Sequence, residues 1–350
     1  MAVTTRLVTA AAVLLVLTSL PAEARPAPHR AEERAGTASW SELGVWHYRL
    51  KTVRGYTYPT AIVFRGNKLP YPHRSGVAAI TATADTAIVQ LGDVEELGPL
   101  VELPASGDAG RILDRHPHGT VIADPNGHVA FWSTQRPDGA HLVALDTTTG
   151  TKTVGPLVRA RQRVFAVEGA TAYVVDAVLT ADPRTSTWTP GQPALTELPP
   201  AFDHGGVISD VAADRVLSFD FDDGLYVTDR AGTLLRTIPM FFGTLSPDAA
   251  HVVGIRHEFQ ALYETETGAR VLLTGLHGLE PYAARWSPDG QLVVTAASRY
   301  AGDDADLATF FACDPADGHC RRLPGAAPLY YVPLLADAFG QFLDYLPLDS

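Results

Sequence analysis

The sequence predicts an all-β domain with the architecture of a β-propeller, in which four-stranded antiparallel blades form a ring. Three observations support this fold class. A Ser-Pro-Asp turn followed by a short apolar strand occurs twice, with its aspartates 41 residues apart, at Asp248 and Asp289. A second hairpin with a glycine in its turn recurs in the same phase. Finally, no convincing amphipathic helix of three turns is found between Ser39 and Ser350.

The first 24 residues predict a cleaved export signal. They contain one arginine (Arg6), an apolar stretch over 7–20 and the small-x-small ending Ala22-Glu23-Ala24, which is the layout of a secretory signal cleaved after Ala24. A membrane anchor is the alternative, but about 14 apolar residues are short for a span. We therefore expect a secreted, extracellular protein.

The sequence after the signal divides into a leader and one domain. Residues 25–39 are rich in Pro, Ala and charge and offer little to bury, so they are predicted to be a disordered leader. Residues 40–350 are predicted to form a single propeller domain. No second apolar stretch approaches the length of a membrane span, so no membrane association is expected once the signal is removed.

The charge of the chain limits its partners. The formal net charge is −12, and removing the signal leaves it unchanged because Arg6 and Glu23 cancel. Nucleic acids and anionic membrane surfaces attract basic footprints, and an acidic chain gives no electrostatic reason to bind either. We expect a monomer that binds no nucleic acid.

The first repeated element is a turn that leads into a buried strand. "WSPDGQLVVTA" and "LSPDAAHVVGI" are its best copies; Pro fixes φ in the turn, and the apolar residues that follow suit a strand packed on both faces. Looser copies are "ITATADTAIVQL", "IADPNGHVAFWST" and "DVAADRVLSFDF". Asp124 in the second of these lies 124 residues before Asp248, which is close to three units of 41.

The second repeated element is a hairpin with a glycine in its turn. Its copies are "LVALDTTTGTKTV", "LYVTDRAGTLLRTI", "ALYETETGARVLL" and "FFACDPADGHCRRL". Their turn glycines, Gly150, Gly232, Gly268 and Gly318, are spaced by 82, 36 and 50 residues. Each unit near 41 residues therefore supplies about four short strands, and stacking such blades in a ring buries both faces of each one. Two β-sandwiches with coincidental turns are the alternative.

Dividing about 310 residues by 41 gives seven or eight units. Because some of the sequence forms long loops, we predict seven blades, with six and eight left open. The predicted starting points of six units are Gly76, His118, Arg161, Gly206, Met240 and Pro281. The seventh blade is predicted to combine "WSELGVWHYRL" and "YTYPTAIVFRG" with the C-terminal "PLYYVPLLADAFGQFLDYL". Strands from both termini would then share one blade and close the ring.

The repeats carry a family resemblance. "WSPDGQLVVTA" and "LSPDAAHVVGI" resemble the repeats of TolB-type and WD-repeat-like propellers, in which a Ser-Pro-Asp-Gly turn joins two blade strands. The resemblance implies the propeller fold. The chain departs from TolB itself because no extra N-terminal domain separates the signal from the repeats.

The two cysteines predict a disulfide. Cys313 and Cys320 flank the turn sequence "DPADGH", so they should face each other across a hairpin, and an exported protein meets an oxidising environment. A metal site is the alternative, but it would need more ligands than His319 and the two aspartates nearby.

The sequence contains few signs of chemistry. It has no Gly-x-Ser-x-Gly elbow, no His-Glu-x-x-His, no phosphate-binding glycine loop and no Cys-x-x-Cys. The most suggestive cluster is "DRHPHG", in which Asp114, His116 and His118 would share one face if they lay on a strand and could then begin a metal site. Pro117 favours a loop instead. The three residues are weak metal-ligand candidates.

Two hypotheses for function follow. The first is a secreted, non-catalytic propeller that needs no cofactor and binds a protein, peptide or glycan. The second is a propeller-type hydrolase or lyase with carboxylates or a metal at the central tunnel. Carboxylates or histidines with perturbed pKa values that converge in the channel would favour the enzyme, whereas an apolar channel with an aromatic rim would favour binding.

Overall fold

The computed structural model describes residues 40–328, apart from 73–74, 93–96, 109, 160–161, 177–183, 200–201, 205, 221–223, 257–258 and 299–306. The chain divides into two units, Met1–Gly36 and Thr37–Ser350, and all described residues belong to the second. The predicted export signal and leader lie outside the described residues. Within the described part of the chain, no helix has the length and apolar character needed to cross a membrane.

The described residues form one short helix and seven antiparallel sheets, which we call blades 1 to 7 in chain order. The helix is α1 (Trp40–Leu43), and blade 1 contains β1 (Trp46–Val53), β2 (Tyr56–Phe64) and β3 (Asn67–Pro70). Blade 2 contains β4 (Val77–Ala82), β5 (Thr86–Gly92), β6 (Leu97–Pro104) and β7 (Ile112–Asp114), and blade 3 contains β8 (Pro117–Ala123), β9 (Val129–Arg136), β10 (Gly139–Asp146) and β11 (Thr151–Val158). Blade 4 contains β12 (Gln162–Glu168), β13 (Thr171–Asp176), β14 (Arg184–Trp188) and β15 (Thr196–Glu197).

The remaining three blades complete the set. Blade 5 contains β16 (Val207–Ala212), β17 (Arg215–Asp220), β18 (Gly224–Asp229) and β19 (Leu234–Ile238). Blade 6 contains β20 (Phe241–Leu245), β21 (His251–Arg256), β22 (Phe259–Glu264) and β23 (Arg270–Val271). Blade 7 contains β24 (Glu280–Trp286), β25 (Leu292–Ala297), β26 (Leu307–Cys313) and β27 (Cys320–Pro328).

The seven sheets confirm the predicted seven-bladed propeller. In every blade each strand pairs with the next strand along the chain. The first strands of blades 2 to 7 each begin one residue away from the predicted starting points of the six units. These first strands are also in contact from one blade to the next, as inner strands around a common centre are.

Apolar contacts between neighbouring blades close the ring. Phe64 of blade 1 packs in one buried cluster with Ile80 of blade 2, and further clusters join each later blade to the next. Blade 7 in turn packs against the segment that precedes β1 in blade 1, since Val293 shares a buried cluster with Val45. The indole Nε1 of Trp40 adds a hydrogen bond of 2.9 Å to the carbonyl of Pro324. Each blade therefore covers the apolar face of its neighbour.

The Ser-Pro-Asp turns join the first and second strands of their blades, as predicted. The Ser246 hydroxyl donates to the Asp248 carboxylate over 2.6 Å and accepts the backbone N–H of His251 over 2.9 Å. Ser287 and Asp289 form the same hydroxyl-to-carboxylate bond in blade 7. The glycine turns join the third and fourth strands, and all four of their glycines have positive φ, at 69, 83, 69 and 72°, where glycine alone carries little steric cost.

The predicted disulfide is present in blade 7. Cys313 and Cys320 are directly paired residues of β26 and β27, with their Cα atoms 3.9 Å apart. Both are buried in the cluster between blades 6 and 7. The bond therefore ties two strands of the blade next to the point of ring closure, as the sequence predicted.

Blade 1 differs in one respect from the prediction. Residues Trp40–Leu43, predicted to belong to a strand, form helix α1. Its Leu43 is 2% exposed and packs against blade 7, and Gly44 at φ +64° follows the helix, which is a common helix ending. Within the described residues blade 1 has three strands. Of the C-terminal segment predicted to complete it, Pro328 ends β27 of blade 7, and the rest lies outside the described residues.

Candidate functional site

The weak metal-ligand candidates surround a junction between blades 2 and 3. Asp114 ends β7, and its carboxylate accepts the indole N–H of Trp132 over 2.7 Å and the backbone N–H of His116 over 2.9 Å. His118 lies in β8, where burial lowers the pKa of its imidazole and the charge of Arg163 lowers it further. Among the described residues, no three His, Cys, Asp or Glu side chains are grouped so that they could hold a metal ion. Metal binding by these residues stays a prediction.

A central cavity of about 210 Å³ is the strongest candidate site. It lies beside the C-terminal halves of the inner strands, and every blade contributes to its wall. The lining segments are Gly44–Trp46, Thr81–Ala82, Val121–Asn126, Phe165–Val167, Ser209–Ala212, Phe242–Leu245 and Ala283–Trp286, together with residues of β21 and β22.

The cavity wall combines apolar and aromatic side chains with polar ones. Phe165 and Phe242 line it from blades 4 and 6, and Trp46 and Trp286 line it from blades 1 and 7. The guanidinium carbon of Arg285 lies 4.2 Å from the centre of the Trp46 ring, a cation–π distance. Such a surface suits the apolar part of a ligand, and its few polar groups would set the orientation.

Two carboxylates line the same cavity, and each bridges two blades. Asp210 of β16 accepts the backbone N–H of Val211 over 2.8 Å and that of Leu245 in blade 6 over 2.7 Å. Asp124 after β8 accepts the backbone N–H of Asn126 over 2.8 Å and that of Gly169 in blade 4 over 2.9 Å. Both aspartates therefore fasten neighbouring blades while they present negative charge to the cavity.

Asp210 has a perturbed pKa. Burial raises the pKa of its carboxyl from 3.8 to about 7, and the charges of Asp124 and Glu168 add to this effect, while the backbone N–H groups of Leu245 and Val211 oppose it. Desolvation disfavours the charged form of a carboxyl group, and nearby negative charges disfavour it further. Asp210 therefore titrates close to neutral pH.

Sequence reasoning located these residues without recognising them as a site. It placed Asp124 in a turn and Asp210 at the start of a weak repeat, and Gln260, Phe165 and Phe242 were not singled out. Their position in the repeat is the sequence feature that could have identified them, because most of the lining residues fall near the end of the inner strand of their repeat unit. Only an alignment of all units would show that these positions face one centre.

Comparison with known proteins gives matches only at the level of structure. No protein-family model matches the sequence, and no curated protein matches it. Among solved structures, the WD40 β-propeller domain of Doa1 matches at 13% identity and a TM-score of 0.46, covering 73% of this chain and 83% of that one. TolB from Acinetobacter baumannii matches at 13% identity and a TM-score of 0.40, covering 76% of this chain and 59% of that one.

A higher TM-score is found with a structure from work on two prolyl endopeptidases. It matches at 8% identity and a TM-score of 0.52, covering 84% of this chain and 53% of that one. This chain is a β-propeller. At identities this low the likeness of the propeller to solved structures shows its fold alone. The two kinds of propeller that the repeats resemble, WD-repeat and TolB-type, are both among the matches.

Proposed function

We propose that this propeller is a secreted, non-catalytic binding module whose central cavity receives part of a protein or peptide ligand. The observation that carries the proposal is the cavity itself, which combines aromatic and aliphatic walls with polar and charged groups. Ligand sites in proteins have this composition. The disulfide between Cys313 and Cys320 and the signal-like N-terminus support export, because disulfides persist in oxidising compartments.

The size of the cavity favours a peptide side chain over a glycan. Pockets that hold drug-sized ligands measure about 300–1,000 Å³, whereas this cavity measures about 210 Å³. A single side chain or a small group fits that volume better than several sugar rings do. In this proposal the rest of the ligand lies outside the cavity.

Binding is tested with the mature chain, residues 25–350, on arrays of peptides and of glycans. The cavity variant is Ala284→Trp, which adds a bulky ring to the lining, and its control is Ala316→Trp at an exposed position in the same blade. We expect peptide ligands whose affinity falls at least about tenfold in the cavity variant and is unchanged in the control. Retention only on glycans, or equal affinity in both variants, contradicts the proposal.

Export is tested separately. The full chain is expressed in a secreting host, and the medium is analysed by intact mass. We expect the mass of residues 25–350 with one disulfide. Retention of residues 1–24, or the absence of the protein from the medium, contradicts the export part of the proposal.

A glycoside hydrolase is the second candidate, because the feature expected of an enzyme is met in part: Asp124 and Asp210 line the same cavity. A carboxyl group with a pKa raised to about 7, as in Asp210, suits a general acid, and its partner carboxylate would serve as nucleophile or base. The discriminating assay measures the release of reducing ends from a mixture of polysaccharides. Turnover that disappears in Asp210→Asn and in Asp124→Asn would establish the enzyme and contradict the non-catalytic proposal.

A further inference from the structure

We propose that the central cavity binds the cationic side chain of a lysine or arginine residue in a peptide ligand, with its charged end against Asp210. This inference deepens the proposed function and depends on it. It names the chemistry that the cavity recognises, and it rests on the charge balance of the lining, on a second unpartnered acceptor and on the shape of the wall.

The first observation is an uncompensated negative charge. The described structure shows no ion pair to Asp210, and each of its carboxylate oxygens accepts a single backbone N–H. A carboxylate oxygen has about two acceptor sites, so each oxygen can accept one more donor. A carboxylate in a poorly solvated position attracts a cation more strongly than one in open water.

The charged groups that face Asp210 increase this attraction. Asp124 and Glu168 both add negative charge near it. Glu168 is paired with Arg230, whereas the described structure gives Asp124 no ion pair and its bonds come from backbone N–H groups. Arg285 also lines the cavity, but from blade 7, where its guanidinium lies over the ring of Trp46. The side of the cavity formed by blades 3 and 5 is therefore negative.

The second observation is the side chain of Gln260, which offers an acceptor independent of the carboxylates. Gln260 of β22 lines the cavity and is 9% exposed. Its Nε2 donates to the carbonyl of Tyr282 over 3.3 Å, while its Oε1 accepts no hydrogen bond from the described residues. This oxygen is left to water in the open cavity, and a ligand that displaces the water has to replace its hydrogen bond with an N–H group. Asp210 and Gln260 thus both offer acceptors to a donor-rich ligand, beside one buried donor without a described partner, the indole Nε1 of Trp46.

The third observation is the shape of the wall. Phe165, Phe242 and Leu245 give the cavity an apolar surface beside Asp210. Lysine and arginine side chains bury an aliphatic stem and keep a charged end on polar groups. A volume of about 210 Å³ suits one such side chain. A neutral apolar side chain would offer no donor to the remaining acceptor sites of Asp210 and Gln260.

The test uses capped pentapeptides, acetyl-Gly-Ala-Lys-Ala-Gly-amide and its arginine and norleucine counterparts. Norleucine keeps the lysine stem and removes its charge. Binding is followed by intrinsic fluorescence, since Trp46 and Trp286 line the cavity. We expect the lysine or arginine peptide to bind about tenfold to a hundredfold more tightly than the norleucine peptide, as hydrogen bonds to charged groups do. Binding should strengthen between pH 6 and pH 8, as Asp210 ionises.

Two variants locate the charge, and one control matches them. Asp210→Asn should reduce the preference for the cationic peptides to about threefold or less. Asp229→Asn, in the same blade, changes another carboxylate that accepts two backbone N–H groups, from Ala231 and Thr233, and should leave the preference unchanged. Thr244→Lys places an ammonium group in the cavity without changing Asp210, and should abolish binding of the cationic peptides.

The outcomes separate this inference from the proposed function. Equal affinity for the lysine and norleucine peptides overturns the cationic preference and leaves the binding module intact. A cationic preference that persists in Asp210→Asn, or in Thr244→Lys should the first variant not fold, also overturns it. If neither these peptides nor any peptide on the array binds, the proposed function fails as well.

Discussion

At the scale of single residues, three blades share a turn in which a hydroxyl group is followed two positions later by an aspartate. Ser246 and Ser287 show this arrangement in the Ser-Pro-Asp turns. Thr83 repeats it in blade 2, where its hydroxyl donates to Asp85 over 2.9 Å and accepts the N–H of Thr86 over 3.2 Å. The bonding of the turn is therefore kept where the proline is lost, which explains why a repeat this weak in sequence still forms the same hairpin.

Substitution of Ser287 by Ala tests this turn. Ser287 is fully buried, and its hydroxyl accepts the N–H of Gln291 over 2.9 Å. Removing the hydroxyl leaves that N–H unpaired, so the free energy of unfolding should fall by about 1–3 kcal/mol. Denaturant titration measures the change. Ser106→Ala is the control, because Ser106 donates to Asp108 in an exposed turn; a loss there as large as in Ser287→Ala would contradict the explanation.

A second prediction concerns the pH dependence that His47 gives to the stability of the protein. Its ring stacks on Trp40 at 4.5 Å, and burial lowers the pKa of its imidazole from 6.5 to about 4. In this window the unfolded chain binds the proton more readily than the folded one, so the contribution of His47 to stability is lost as the pH falls from 6.5 to 4. Asp210 acts in the opposite sense, because its raised pKa lowers stability as the pH rises from 4 to 7.

The contribution of His47 is isolated with His47→Phe, which keeps an aromatic ring and removes the titration. Chemical unfolding at pH 4.5 and pH 7.5 should show a smaller acid-induced loss of stability in this variant than in the original chain. His319→Phe at an exposed position is the control and should change nothing. If His47→Phe loses as much stability between pH 7.5 and pH 4.5 as the original chain does, another group causes the loss.

At the scale of elements, the hairpins account for most of what sequence reasoning could predict. β25 is buried along its whole length, as its apolar run indicated. The glycine turns marked the other hairpins, because Gly150 and its counterparts adopt positive φ. α1 was missed since it is only four residues long, too short for a periodic signal, and packing against blade 7 rather than propensity holds it.

Reduction of the disulfide tests the glycine-turn hairpin of blade 7, between β26 and β27. Cys313 and Cys320 close a loop with a sequence separation of 7 residues, and a loop of that size contributes about 2–3 kcal/mol. We expect dithiothreitol to lower the melting temperature by a few degrees without unfolding the protein at room temperature. The double variant Cys313→Ala/Cys320→Ala should melt near the reduced protein and should not respond to dithiothreitol. Complete unfolding on reduction would contradict this expectation.

At the scale of the whole molecule, the period near 41 residues was enough to predict the ring. The period and the chain length favoured seven blades with six and eight left open, and the inner strands of blades 2 to 7 begin within one residue of their expected positions. The site was not predictable in the same way. Asp210 and Gln260 lie in different blades, 50 residues apart, and no local motif joins them. They line the same cavity because the blades form a ring, and the order of residues along the chain does not show this.

Ring closure itself yields a prediction. Within the described residues β1 pairs with β2 alone, and the sequence predicts a partner for blade 1 in residues 328–346. A chain that ends at Pro328 should therefore lose about 2 kcal/mol or more, measured as a drop of roughly 4 °C or more in melting temperature. Removal of residues 347–350 alone is the control and should change little. Equal melting of both truncated chains and the full chain would show that these residues do not complete the blade.

The position of the cavity has a consequence for how a ligand would be found. Its wall takes residues from all seven blades. An occupant would therefore contact every blade, and unfolding of the ring would release it. Its binding would then raise the free energy of unfolding of the whole ring by about 2.7 kcal/mol at a ligand concentration of a hundred times the dissociation constant. Screening unlabelled compound collections by differential scanning fluorimetry therefore suits this molecule, because a compound bound in this one cavity should raise the melting temperature of the whole ring.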